Sequence, residues 1–381
     1  MRSKKQLWVV MAWVIVTVMA QAQSAADEIN QYLETQNYSA ALALLQEQDS
    51  SLSNWYKTAF CQQKLGNWAY AKHWYERILI RDSLHLSARV NLGNLYFQEA
   101  NWPKAIRYYR ELIHLDSTNF SYFKSCGDAH EQAGLVREAF GYWEKALCLN
   151  PQDIPLLINL AEVFLGNKQA DLADSLMAIA YGLDKSNVKT LLQTARVKYS
   201  LKDYAAVSQH MYTVNSMIDL NPFYKKMWAY ALIQLDSIDF SIRILEGLLN
   251  EDADENTHFY LGLAYEQKKK HEYATFHYRK AISKATSPNM GNYYLRTAIL
   301  EKEQSHFKEA IEAYREGYRY SRAPSFIFYE AQVSDLYYKQ KNIAFNKYQE
   351  YLKLQDADHP NFTQYAHERV KYLKEYLHQT K

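Results

Sequence analysis

Small residues recur along this chain at a fixed interval, each a few positions after a short polar turn. Ala71, Ala105, Ala139 and Ala173 are spaced by 34, and Val207 and Ser241 continue the interval. Ala274, Ala310 and Ala344 follow at 33, 36 and 34, while Ala41 precedes Ala71 by 30. A second small series runs twelve residues ahead: Ala59, Gly93, Gly127, Ala161, Ala195, Ala229, Gly262 and Ala298. A ring or Met often stands four residues after the alanine, as at Tyr75, Tyr109, Trp143, Met177, Met211, Tyr278, Tyr314 and Tyr348. Two antiparallel helices approach closely where small residues face each other, and larger side chains fill the space to the next pair. Neither helix buries its apolar face alone, so hairpins of this period stack into a solenoid.

Proline supplies an independent check, because it breaks helix interiors but suits first turns and linkers. Pro103, Pro151, Pro155, Pro222, Pro288, Pro324 and Pro360 all fall at predicted helix starts or inter-helix turns. Punctuation is sparse throughout, with 11 Gly and 7 Pro in 381 residues. An all-β fold, which consumes turn residues every ten positions or so, is excluded on that count. Rings are abundant instead: 33 Tyr, 15 Phe and 8 Trp.

The repeating segments resemble tetratricopeptide repeats. From Leu86 to Asn119 the match is carried by Leu92-Gly93, Tyr96, Ala105, Tyr109 and Leu115-Asp116. From Phe120 to Asp153 it is carried by Gly127, Ala139, Trp143, Ala146 and Leu149-Asn150-Pro151. Similar units begin near Leu52, Ile154, Val188, Pro222, Glu255, Gly291 and Ser325, the last with Gln332 where a small residue is expected. The resemblance implies an all-α, right-handed α-solenoid of about ten stacked hairpins. The expected organisation is a degenerate first unit over 23–51, the solenoid over 52–357, and a capping helix and tail over 358–381.

The same resemblance implies that the first helix of each hairpin lines a concave groove, through its residues two, five, six, nine and twelve. In the early half these positions are mixed and include Lys124, Asp128 and Asn159. In the later half they are largely aromatic and aliphatic, including Tyr199, Phe223, Met227, Tyr230, Phe259, Tyr260 and Leu263. Rings facing a groove are amphipathic anchors for a bound segment. Some tetratricopeptide domains hold a C-terminal carboxylate between Lys, Asn and Arg side chains by charge-assisted hydrogen bonds. The nearest set here is Lys124, Asp128, Asn159, Lys189 and Gln193, with Arg196 one turn beyond. Asp128 would repel a carboxylate there, so a loose polar patch is expected rather than a clamp. The expected binding residues are therefore Lys124, Asn159, Lys189, Arg196, Tyr199, Phe223, Tyr230, Phe259 and Leu263.

Charge and chemistry narrow the function further. With 44 Lys+Arg against 42 Asp+Glu, the net charge of +2 offers no basic surplus for nucleic-acid phosphates. Arg2, Lys4 and Lys5 precede an uncharged run from Leu7 to Ala20, and Ala20-Gln21-Ala22 makes a small-x-small site. That is the layout of a secretory signal over residues 1–22 cleaved after Ala22, with an uncleaved inner-membrane anchor as the alternative. Its removal takes three positive charges and leaves −1. Cys61, Cys126 and Cys148 form no disulfide framework and read as small buried hydrophobes. No phosphate-binding glycine loop, zinc-protease helix, nucleophile elbow or calcium loop occurs, and no cofactor or metal is expected. Lys268-Lys269-Lys270 reads as an intra-unit turn, and the histidines read as scattered surface residues. The sequence thus points to a non-catalytic scaffold of the periplasm or exterior that docks protein or peptide segments. A carbohydrate- or peptidoglycan-binding solenoid is the alternative, and an enzyme or enzyme subunit is a further rival.

Overall fold

The computed structural model of the chain describes residues 25–48, 51–250, 253–285, 288–354, 356 and 358–379. The expected signal segment, 1–22, lies outside the described residues. All regular structure among the described residues is helical. Contacts divide the chain into two compact units, one ending at Val163 and one beginning at Phe164.

The first unit contains α1 (25–34), α2 (Tyr38–Leu45), α3 (Leu52–Lys64), α4 (Trp68–Arg81), α5 (Leu86–Gln98) and α6 (Trp102–Leu115). It continues with α7 (Phe120–Gln132), α8 (Val136–Leu149) and most of α9 (Ile154–Gly166). The second unit takes the last residues of α9, then α10 (Ala170–Leu183), α11 (Val188–Ser200), α12 (Tyr204–Asn215), α13 (Pro222–Gln234) and α14 (Ile238–Gly247). It ends with α15 (Glu255–Gln267), α16 (His271–Lys284), α17 (Met290–Glu303), α18 (Phe307–Ser321), α19 (Ser325–Tyr337), α20 (Asn342–Lys353) and α21 (Pro360–Gln379). Consecutive helices pack on one another from α2 to α8 and from α10 to α20, and α21 closes against α20 and α19.

Sterics explain the periodicity. Every alanine-series residue from Ala41 to Ala344, Val207 and Ser241 included, is fully buried. Ser241 fits among them because its hydroxyl donates to the Ala229 carbonyl across the hairpin at 2.9 Å. The eight rings and methionines four residues on are at most 3 % exposed. Three of the rings lie directly over a glycine of the partner helix. A Cβ at Gly93, Gly127 or Gly262 would stand 2.8, 2.4 or 2.4 Å from Tyr109, Trp143 or Tyr278.

Local signals set the helix limits. The hairpin turns from α1–α2 to α17–α18 each pass through one left-handed residue, glycine at Gly66 and Gly134 but Gln36, Ala100, Lys168, Lys202, Asp236, Lys269 and Ser305 elsewhere, whereas the α19–α20 turn has none. Between hairpins Asp82, Asp116, Asn150 and Asp184, spaced by 34, each accept from the backbone N–H two residues on. Hydrogen bonds from Thr118 and Ser186 hold the Asp116 and Asp184 carboxyls below the usual range. Side-chain caps at Asn101, Asn187, Asp203, Asn221 and Asp254 satisfy first-turn N–H groups.

Three local expectations change. The small residue of the last hairpin is Ala331, fully buried one position before Gln332, so the register shifts by one residue there. Cys61 and Cys126 are buried, but Cys148 is exposed, and all three are free thiols. The histidines are not all on the surface, since His130, His258 and His277 are buried. The lysine run behaves as read: Lys268 ends α15, Lys269 takes the left-handed turn and Lys270 precedes α16.

Candidate functional site

In the second unit, successive first helices of the hairpins enclose a recess of about 400 Å³. The end of α9 contributes Leu165, α11 contributes Arg196, Tyr199 and Ser200, α13 contributes Phe223, Lys226 and Met227, and α15 contributes Asn256 and Tyr260. The helical hairpin dictates this convergence, because corresponding positions of each first helix point the same way.

Its back wall is a ladder of tyrosines. Tyr199 meets Tyr204 and Tyr230 with centroids at 6.0 and 5.7 Å, and Tyr230 meets Tyr260 at 5.3 Å. Burial, reinforced by neighbouring phenols, raises the Tyr199 hydroxyl well above its ordinary range; burial also raises Tyr260. Both stay protonated and able to donate at neutral pH. Phe223 differs from the ladder: it is 57 % exposed and touches Tyr224 edge to face.

The polar rim is held in place. Arg196 Nη1 donates to Gln193 Oε1 at 2.8 Å, and Gln193 is itself buried. Lys226 Nζ bonds Asp254 Oδ2 at 2.6 Å, while Asp254 Oδ1 accepts from the Thr257 N–H at the start of α15. Burial would raise the Asp254 carboxyl, but hydrogen bonds from Lys226 and Thr257 outweigh it and hold the group below its usual value. One lysine thereby fixes the position of the next hairpin. The first unit repeats the device, with Lys124 on Asp153 at 2.7 Å and Asp153 accepting from the Leu156 N–H.

Of the nine residues singled out in the sequence, Arg196, Tyr199 and Phe223 line this recess and Tyr230 stands in its ring ladder. Phe259 packs on Tyr293 and Tyr278, and Leu263 packs among the apolar residues of α13–α17. Lys189 is exposed in the first turn of α11. Lys124 and Asn159 belong to the first unit, where Asp128 accepts from the Trp143 indole at 2.8 Å. Burial raises the Asp128 carboxyl, the indole hydrogen bond opposing it. Lys226 and Asn256 were missed, although they occupy positions five and two of their units. Selecting rings and aliphatics in this half passed over them.

A larger hollow of about 650 Å³ lies along α16, α17 and α18. At its centre the buried Glu301 is already engaged, bridging Arg279 at 2.7 Å and His306 at 2.9 Å. Chemistry of the nucleophilic kind finds little support. Cys126 Sγ lies 3.7 Å from His130 Nδ1, but that nitrogen also contacts the Cys126 carbonyl at 2.6 Å. Burial pushes the thiol up to about 12, so it is not a ready thiolate. Among the described residues, no group of three His, Cys, Asp or Glu is placed to hold a metal ion. No helix there is long and apolar enough to cross a membrane.

No family model matches the chain, and no curated protein matches it in sequence. Solved structures similar to it include a tetratricopeptide repeat protein from Parabacteroides merdae ATCC 43184. That likeness is at 13 % identity and TM-score 0.47, covering 65 % of this chain and 99 % of that one. YrrB, a tetratricopeptide protein with an unusual peptide-binding site, is similar at 14 % identity and TM-score 0.40, covering 48 % of this chain and 94 % of its own. Yeast Tom70 is similar at 11 % identity and TM-score 0.41, covering 94 % and 96 %.

Proposed function

We propose that the chain is a non-catalytic scaffold that docks a protein segment against the first-helix face of its second unit. The observation that carries this reading is Phe223, an exposed ring beside Arg196 and Lys226 in a recess whose other rings are packed. An exposed aromatic flanked by cations and tyrosine hydroxyls is the composition of an interface anchor. It suits a peptide or helix with an apolar side chain next to an acidic one. The recess is built from backbone-rigid helices rather than loops, so little ordering is needed on binding. We place the protein outside the cytoplasm on the strength of residues 1–22.

The test is crosslinking in cells followed by mass spectrometry, run beside Phe223→Ala/Arg196→Ala. Phe223 is exposed enough that its loss should leave melting close to the parent. A partner lost only from the variant supports the site; equal capture by both removes it. The chain recovered from the envelope is expected to begin at Gln23. Saturable binding of a glycan fragment in the absence of any protein partner would favour the carbohydrate reading.

A further inference from the structure

The first unit carries a second cleft, of about 490 Å³, between α6 and α8 and floored by α7. Its floor is apolar: Ile113, Phe123 and the ring of Tyr142. Tyr142 is fixed by stacking on buried His130 at 4.8 Å, and His130 is tied to the Cys126 carbonyl. The cleft stays open because α8 has a glycine, Gly141, on its wall, and a Cβ built there meets nothing within 4 Å.

Two cations stand at its rim, Arg110 from α6 and Lys145 from α8. Among the described residues neither is engaged in an ion pair, in contrast to Lys72, Arg89, Lys124 and Arg107 of the same unit. Arg110 lies near enough to Tyr142 and Cys126 to oppose the rise that burial gives both groups. His114 adds a third basic group, and Glu138 is the one acid on the rim. Two cations against one carboxylate leave room for one further negative charge. A dianionic head would sit against Glu138.

We propose that this cleft is a binding site for an amphipathic monocarboxylate, its apolar chain on Ile113, Phe123 and Tyr142 and its head between Arg110 and Lys145. The volume falls within the range of small-molecule sites, which pair a mostly apolar lining with a few placed polar groups. Charge-assisted hydrogen bonds from Arg110 supply the orientation and the apolar floor most of the affinity.

Calorimetric titration of the full-length protein with octanoate tests this, with octan-1-ol and acetate as headless and tailless controls. Saturable octanoate binding is expected, with each control weaker by about tenfold or more. Gly141→Leu should abolish it by filling the cleft while melting at or above the parent, since leucine favours helix over glycine. Arg110→Gln should weaken octanoate and leave octan-1-ol unchanged. The proposal is overturned by absence of saturable binding, by octan-1-ol binding as tightly as octanoate, or by binding that survives Gly141→Leu.

Discussion

At the level of single residues, the hairpin turns carry unrelieved backbone cost. Ala100 has φ 57° and is exposed, its N–H bonded to the Phe97 carbonyl. The left-handed region crowds a Cβ against the following carbonyl, at a cost of about 1–2 kcal/mol. Glycine avoids this but loses more chain entropy on folding. Ala100→Gly should therefore stabilise the protein by about 0.5–1 kcal/mol, read as a higher urea midpoint with unchanged slope. The scarcity of glycine, which spoke against an all-β fold, thus has a second side. Lys168, Lys202, Asp236, Lys269 and Ser305 take the left-handed turn without it.

Helix pairs bring together groups that neither helix shows alone. His258 of α15 and His277 of α16 are 19 residues apart, yet their Nδ1 atoms meet at 3.1 Å in a buried contact. One nitrogen donates and the other accepts, which requires at least one of the pair to be neutral. Around them stand Tyr265 of α15, stacked on His277, Asp254 at the start of α15, and Lys280 and Lys284 of α16. Burial lowers both histidines, with the two lysines adding to the effect on His258 and His258 adding to that on His277, which falls to about 4. A histidine whose folded value is depressed gives up stability as pH falls, because the unfolded chain takes the proton first. The loss should begin near pH 6.5, the ordinary value, and be complete by about 4. Melting temperature measured across that range should fall for the parent and fall less for His258→Leu/His277→Leu. An equal slope in both would place the acid sensitivity elsewhere. The same two helices carry Asn256, Tyr260 and the Asp254 that holds Lys226, so acid should also loosen the recess.

Across the whole chain, what the sequence makes legible is steric and periodic. Ala41 to Ala344 could be found because each contact recurs with the repeat and tolerates only small side chains. The recess was legible in part for the same reason, since Arg196, Tyr199 and Phe223 follow from position within the unit. Lys226 and Asn256 obey the same positional rule but are polar, and an apolar criterion skips them. The division near Val163 and the histidine pair were not legible, because both depend on which helices touch rather than on any local pattern. Each hairpin contacts mainly its neighbours, so damage should stay local. Gly127→Ala, which drives a Cβ into Trp143, should cost about 1–3 kcal/mol by overpacking. Hydrogen exchange should then quicken in α7 and α8 while α15 and α16 keep parental protection; a uniform rise would contradict the local picture.

The ring-over-glycine contacts also constrain how such a protein can drift. Where Met211 or Leu245 fills the ring position, the partner helix carries an alanine, Ala195 or Ala229, in the shared core. Tyr314 coexists with Ala298 while stacked on Tyr329 at 5.5 Å. For Trp143 and Tyr278 the two orders of change differ in cost. Alanine first meets the ring head-on, whereas a smaller side chain first opens a gap that alanine can then occupy. The less costly route at these pairs is therefore directional: the large residue shrinks, or swings onto another ring, before its glycine changes.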